Sequence, residues 1–276
     1  MKRIIFLALC LAIGGNSQAQ NKHQLVKLWQ TDSVIAVPES VLINYKEKLL
    51  YVSEIGPGNA SAFDQNGGVG KLSLDGKPID LNWITGLHSP KGLASIGNEL
   101  YVADLTELVV IDIKKGKIIK KYPVEGAGML NDVTASDKGV IYFSDSRTKK
   151  IHQIVNQQLS TYMENVAGVN GLKAIGDELY ILGGKRFFKV DANKKETDIA
   201  QLPQGGDGLE PIGNGDFLAT SWGGYIFYVG KDGKVETLLD SHEPRVNTAD
   251  LAYDQAKKIL YVPSFYNKIV TAYQLK

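Results

Sequence analysis

PKGLASIGNELYVADL, residues 90–105, carries the phrase that decides the fold. It reads as an apolar strand, a short polar turn, and a second strand holding a tyrosine. The phrase returns as PESVLINYKEKLLYVSEI (38–55), LNDVTASDKGVIYFSDS (130–146), VNGLKAIGDELYILGG (169–184), GDGLEPIGNGDFLATSW (206–222) and TADLAYDQAKKILYVPSF (248–265). Aligned on Ser40, Gly92, Asp132, Gly171, Gly208 and Asp250, the copies are 52, 40, 39, 37 and 42 residues apart. A period of about forty residues with several short strands per copy marks a β-propeller blade. The chain therefore reads as all-β, a six-bladed β-propeller.

The ends of the repeat array predict how the ring closes. QLVKLWQ, residues 24–30, alternates apolar and polar side chains as a half-buried strand does, and it precedes the first copy. The last copy has room for only three strands. The N-terminal strand is thus expected to complete the sixth blade, which also removes an open sheet edge. The recurring tyrosines Tyr51, Tyr101, Tyr142, Tyr180 and Tyr261 occupy one framework position. That recurrence predicts packing between blades rather than ligand contact. The first copy is longer than the others because of GPGNASAFDQNGG, residues 56–68. This insertion reads equally as a lid over the channel mouth or as a loose surface loop.

Bulk properties narrow the function classes. The 276 residues are 43% hydrophobic, enough for a packed core, and the formal charge is +1. No basic cluster suggests nucleic acid as a partner. Lys2 and Arg3, an apolar run over residues 4–13 and Ser17-Gln18-Ala19 have the form of a signal peptide, residues 1–19, with cleavage after Ala19. The domain is then residues 20–276, periplasmic or secreted, with no membrane association after cleavage, and expected to be a monomer. The one cysteine, Cys10, lies in the leader, so the mature chain has neither a disulfide nor a thiolate nucleophile.

The repeat phase also selects candidate site residues. Immediately before the aligned positions stand Glu39, Lys91, Asn131, Asn170, Asp207 and Ala249. In a propeller these positions start the innermost strands and converge at one mouth of the central channel. Glu39, Asn131, Asn170 and Asp207 offer the oxygen ligands that a hard cation takes. Asn and Asp are also common at turns entering strands, where they bond nearby backbone. Four oxygen donors at one phase favour a metal site, with one divalent metal: calcium first, and zinc, magnesium or manganese as alternatives.

These motifs resemble the family of senescence marker protein (regucalcin), gluconolactonase and luciferin-regenerating enzyme. Asn170-Gly171-Leu172 and Asp207-Gly208 look like its NGL and DG motifs, Pro38-Glu39 like its first-blade glutamate, and Asn131-Asp132 like its third-blade ND. The resemblance runs over residues 24–276. It implies a divalent metal on Glu39, Asn170 and Asp207, with Asn131 nearby as ligand or substrate contact. It also implies hydrolysis of a lactone or related ester, so a small-molecule substrate. Two positions depart from the pattern. Met129 stands where the sugar-lactone members carry Arg, and Glu39-Ser40-Val41 replaces Glu-Gly-Pro.

As an enzyme, the chain would be a metal-dependent lactonase or esterase-type hydrolase. Asp207 would be the general base, Asn131 would orient substrate, and Lys91 would hold a carboxylate or the developing oxyanion. The bland reading of Lys91 is a solvated lysine that keeps the channel wet. Trp222 reads either as an apolar or sugar-stacking wall or as blade packing. Asp104 and Asp145 end second strands on the same face and read either as added charge at the mouth or as loop caps, and His88 and His242 as distant alternatives for a histidine-assisted reaction. No G-x-S-x-G elbow, P-loop or dinucleotide fingerprint is present. The competing class is a non-catalytic NHL-like propeller that binds a ligand or partner at the channel mouth.

Overall fold

The computed structural model describes residues 22–57 and 60–276. The expected signal peptide lies outside the described residues, as do Gly58 and Asn59 of the long loop. The described residues form six four-stranded antiparallel sheets and no helix. Each sheet is one blade, and five of them run inner to outer in chain order. Blade two, for example, is Pro90–Ile96, Glu99–Asp104, Glu107–Asp112 and Lys117–Pro123.

The sixth blade closes the ring as expected. Its strands Ala252–Asp254, Ile259–Ser264 and Ile269–Leu275 are completed on the outside by Leu25–Gln30. Leu25 faces Leu275 and Gln30 faces Thr271. Backbone bonds between Gln24 and Lys276 extend the clasp at both 2.9 Å.

A blade buries both faces of its sheet against its neighbours, so its middle strands are buried and largely apolar up to the polar residues at their channel-mouth ends. Leu49–Glu54 is buried at every residue, while outer Lys117–Pro123 is almost wholly exposed. The core is accordingly divided into six clusters, each joining two adjacent blades. The repeated tyrosines sit in these interfaces. Tyr51 of blade one packs with Leu93 and Val102 of blade two, and Tyr261 of blade six with Val41 and Val52 of blade one. Ring closure is therefore hydrophobic, and each interface is non-local in sequence.

Where inner strands approach each other there is no room for a side chain. A Cβ on Gly171 would run into the carbonyl oxygen of Asp207, and one on Gly208 into the Asp250 carboxylate. These glycines are packing requirements of the channel wall.

Candidate functional site at the channel mouth

The inner strands of blades one to four share a defect at one end. Pro38 faces Glu54, yet Val41 faces Val52, so the pairing slips by one residue. The same slip separates Pro90 from Leu93, Leu130 from Val133 and Val169 from Leu172. Each slip is a β-bulge, a device that re-aims side chains. The residues held in the bulges are Glu39-Ser40, Lys91-Gly92, Asn131-Asp132 and Asn170-Gly171.

Hydroxyls on the second strands satisfy the backbone that the bulges leave unpaired. Ser53 Oγ accepts from Ser40 N–H (2.9 Å), and Ser144 Oγ from Asp132 N–H (3.0 Å). In blade five Thr220 Oγ1 accepts from Gly208 N–H (2.8 Å). Acidic residues one step further on pin the preceding loops. Asp104 accepts from the N–H groups of His88 and Ser89, and Asp145 from those of Gly128, Met129, Arg147 and Thr148. Asp104 and Asp145 are thus loop caps. The one local signal for these supporting hydroxyls is a Ser or Thr near the end of the second strands of blades one, three and five.

The result is a compact polar group. Glu39, Lys91 and Asp207 are all buried, and each lies close enough to feel the others' charge. Asn170 Nδ2 donates to Asp207 Oδ1 at 2.6 Å. The fold therefore brings Glu39, Lys91, Asn170 and Asp207 together. Asn131 stands at the same level, but its Nδ2 turns aside to Ser146 Oγ of its own blade (3.1 Å).

Lys91 is not solvated. Its three ammonium protons meet Ala60 O (3.1 Å), Ser89 O (3.2 Å) and Ser89 Oγ (2.9 Å). The long loop supplies Ala60, which also accepts from Ser89 Oγ (2.7 Å). Gln65 N–H reaches His88 Nδ1 (3.3 Å), and Phe63 packs edge-on to the His88 ring. The described part of the loop thus lies on blade two and covers the lysine. His242 sits on the outer rim with Asp240 and is exposed.

Below the mouth lies a second acidic tier. Asp250 Oδ2 accepts from Ser40 Oγ (2.6 Å), and Asp250 N–H donates to the Glu39 carbonyl (3.1 Å). Asp132 accepts from Leu172 N–H. The channel then opens into a cavity of about 140 Å³ that the Lys173–Glu210 ion pair lines.

Charge does not balance along this channel. Among the described residues, Glu39, Asp132, Asp207, Glu210 and Asp250 face only Lys91 and Lys173. Every one of these carboxyls titrates above its ordinary range, with burial as the first cause in each case. Asp207 is pushed up to about 7, by burial and then by the charge of Asp250. Glu39 is pushed up by burial and then by Asp207, with Lys91 opposing. Lys91 itself is pulled down, because burial outweighs its acidic neighbours.

The donor set fits a hard cation. Glu39 Oε2 is buried with no hydrogen-bond partner. Asp207 keeps Oδ2 unclaimed by Asn170, and the Asn170 amide keeps its oxygen because it donates through nitrogen. Among the described residues no three His, Cys, Asp or Glu side chains form a metal-ligating group. A cation here would depend on amide oxygens beside the two carboxylates, a mixture that suits calcium or magnesium.

The chain matches no family profile and no curated protein. It does match solved structures. One is described as a putative gluconolactonase, at 14% identity over 93% of each chain with a TM-score of 0.68. Another is virginiamycin B lyase from Staphylococcus aureus, at 12% identity over 92% of this chain and 99% of that one, with a TM-score of 0.64. A luciferin-regenerating enzyme matches at 11% identity over 87% of this chain and 92% of its own, with a TM-score of 0.61. The likeness is one of fold. It agrees with the six-bladed ring and with the architecture that the resemblance in sequence implies.

Proposed function

We propose that the chain hydrolyses a lactone or related ester at the channel mouth, aided by a divalent cation on Glu39, Asn170 and Asp207. The observation that carries this reading is the buried surplus of acid there. Glu39 presents an unpartnered oxygen, and the protons of the one nearby lysine are already used by neutral oxygens. A bound cation would relieve that surplus and bring the raised carboxyls back down.

When bound, such a cation polarises a carbonyl and acidifies water. The chain supplies the remainder. Asn170 fixes the Asp207 carboxylate through Oδ1, leaving Oδ2 to take a proton from the attacking water. The water oxygen bonds to the carbonyl carbon, the ester C–O bond breaks, and the departing oxygen takes the proton back from Asp207, giving a hydroxy acid from a lactone or an acid and an alcohol from an ester. Lys91 is held as a fixed positive charge beside both carboxylates rather than as a free donor to substrate. Asn131 keeps its amide oxygen for substrate while Ser146 orients the amide.

Turnover of a lactone and ester panel tests the reading. Wild type should lose activity on chelation and regain it with one of calcium, magnesium, manganese or zinc. Asp207→Asn should lose about a hundredfold or more in kcat. Full activity in chelator, or no turnover of any member, would overturn it. One observation favours a second reading, a binding propeller without chemistry: Lys91 already offers a countercharge to Glu39 and Asp207. In that case wild type binds a ligand at the mouth without turning it over.

A further inference from the structure

The position just past each second strand can be compared around the ring. It holds Ile55, Leu105, Ser146, Gly184, Trp222 and Phe265 in blades one to six. Ile55 and Leu105 are buried, as blade packing demands. Trp222 is 45% exposed, and Tyr266, next to Phe265, is 65% exposed. The three rings of blades five and six lean on one another edge to face. Trp222 lies 6.0 Å from Phe265 and 5.7 Å from Tyr266, and Phe265 lies 4.9 Å from Tyr266. Packing alone does not account for a trio that buries only Phe265 and leaves the other two rings open.

Register places this trio on the face of the ring that carries the site. Asp207 N–H donates to Thr220 O (2.8 Å), so Trp222 rises directly beyond the level of Asp207. Asn247, just ahead of the inner strand of blade six, donates from Nδ2 to Trp222 O (2.9 Å) and fixes the turn that carries the indole. On the other side, blade six is joined to blade one by the bond from Asp250 to the Glu39 carbonyl. The aromatic ledge and the carboxylates of the mouth thus stand at the same end of the strands of blades five and six. Met129, on blade three, adds an apolar side chain to the same face and is met by Ser61 of the long loop.

We propose that Trp222, Phe265 and Tyr266 form a specificity subsite that seats an apolar or aromatic substituent of the substrate. This rests on the reading of the mouth as a lactone or ester hydrolase. The preferred substrates are then lactones or esters with an aryl or alkyl substituent next to the reacting carbonyl or ring oxygen, rather than polyhydroxylated sugar lactones. Two open rings meet such a group by stacking and by area, and neither brings the array of donors and acceptors that a polyol needs.

The test compares γ-butyrolactone with its γ-phenyl derivative on wild type, Trp222→Ala, Trp222→Phe and Tyr266→Ala, with gluconolactone as a third substrate for wild type. Wild type should favour the phenyl compound. The ratio of kcat/KM for the phenyl compound over the parent should fall about tenfold in Trp222→Ala, mainly through KM, and less in Trp222→Phe. An unchanged ratio, or wild-type preference for gluconolactone, overturns the subsite. If wild type hydrolyses no lactone, the hydrolase reading fails instead, and calorimetric titration with the phenyl lactone decides the subsite. Binding that weakens about tenfold in Trp222→Ala sustains it. No binding, or equal binding, overturns it.

Discussion

Lys91→Met is the most informative single change, because it separates a fixed countercharge from a solvated lysine. Lys91 is 4% exposed and sits near Glu39 and Asp207, themselves 6% and 4% exposed. Methionine keeps most of the volume and removes the charge. Ala60 O and the Ser89 oxygens would each lose a bond, at about 1 kcal/mol apiece before water compensates. The larger cost is two buried carboxylates left without a cation, and breaking such an arrangement costs about 3–5 kcal/mol. The pH dependence has a definite sign. Lys91 opposes the rise of both carboxyls, so without it they titrate higher still. A carboxyl raised in the folded state gives its full stability below its unfolded pKa and loses it as pH climbs through the folded value. Asp207 already titrates at about 7. The penalty of Lys91→Met should therefore be small at pH 5 and approach the full value at pH 8. Urea unfolding in metal-free buffer at both pH values measures it. Adding Glu39→Gln to Lys91→Met should recover part of the loss at pH 8, with a coupling of about 1 kcal/mol or more. Equal penalties at the two pH values, together with additive effects in the double variant, would refute the reasoning.

Other outcomes follow from the same structure. Glu54 is buried with Oε1 unpartnered, and burial pushes its carboxyl up to about 7; Glu54→Gln should therefore remove up to about 3 kcal/mol of the stability lost between pH 5 and pH 8, read by urea midpoints at the two values. Asp145 behaves oppositely. Burial pushes its carboxyl up, but the N–H groups of Thr148, Gly128 and Met129 outweigh it and hold it low, so its contribution is present at neutral pH and lost on acidification. Asp145→Ala should cost about 3 kcal/mol at pH 7 in the same assay. Deleting residues 22–30 strips the clasp from Ile269–Leu275, and the bared edge should lower the thermal midpoint and give oligomers by light scattering.

Much of this arrangement is legible in the sequence because its signals are local. Strand, turn and tyrosine recur within each copy, and the shared phase of Glu39, Asn170 and Asp207 brings them together once the ring closes. The closure itself follows from counting strands in the last copy. What is not legible is contact between segments that the ring folds onto one another. The burial of Lys91 depends on Ala60, from an insertion whose path over blade two has no local signal. The bulges of blades one and three depend on Ser53 and Ser144, and the Gly208 backbone of blade five on Thr220, each one strand away from the backbone it supports. Asn131 has the phase of the site, yet Ser146 turns its amide aside. The acidic tier of Asp132 and Asp250 was obscured because those positions align with glycines in blades two, four and five.

The central claim is that the mouth holds one divalent cation on Glu39, Asn170 and Asp207. Isothermal titration of the chelator-stripped protein with calcium, magnesium, manganese and zinc, beside the Glu39→Gln/Asp207→Asn double variant, tests it most directly. The account predicts saturable binding of at least one of these ions to wild type, near one per chain, and no binding at that site in the folded double variant. No binding by wild type, or the same binding by both proteins, would contradict it.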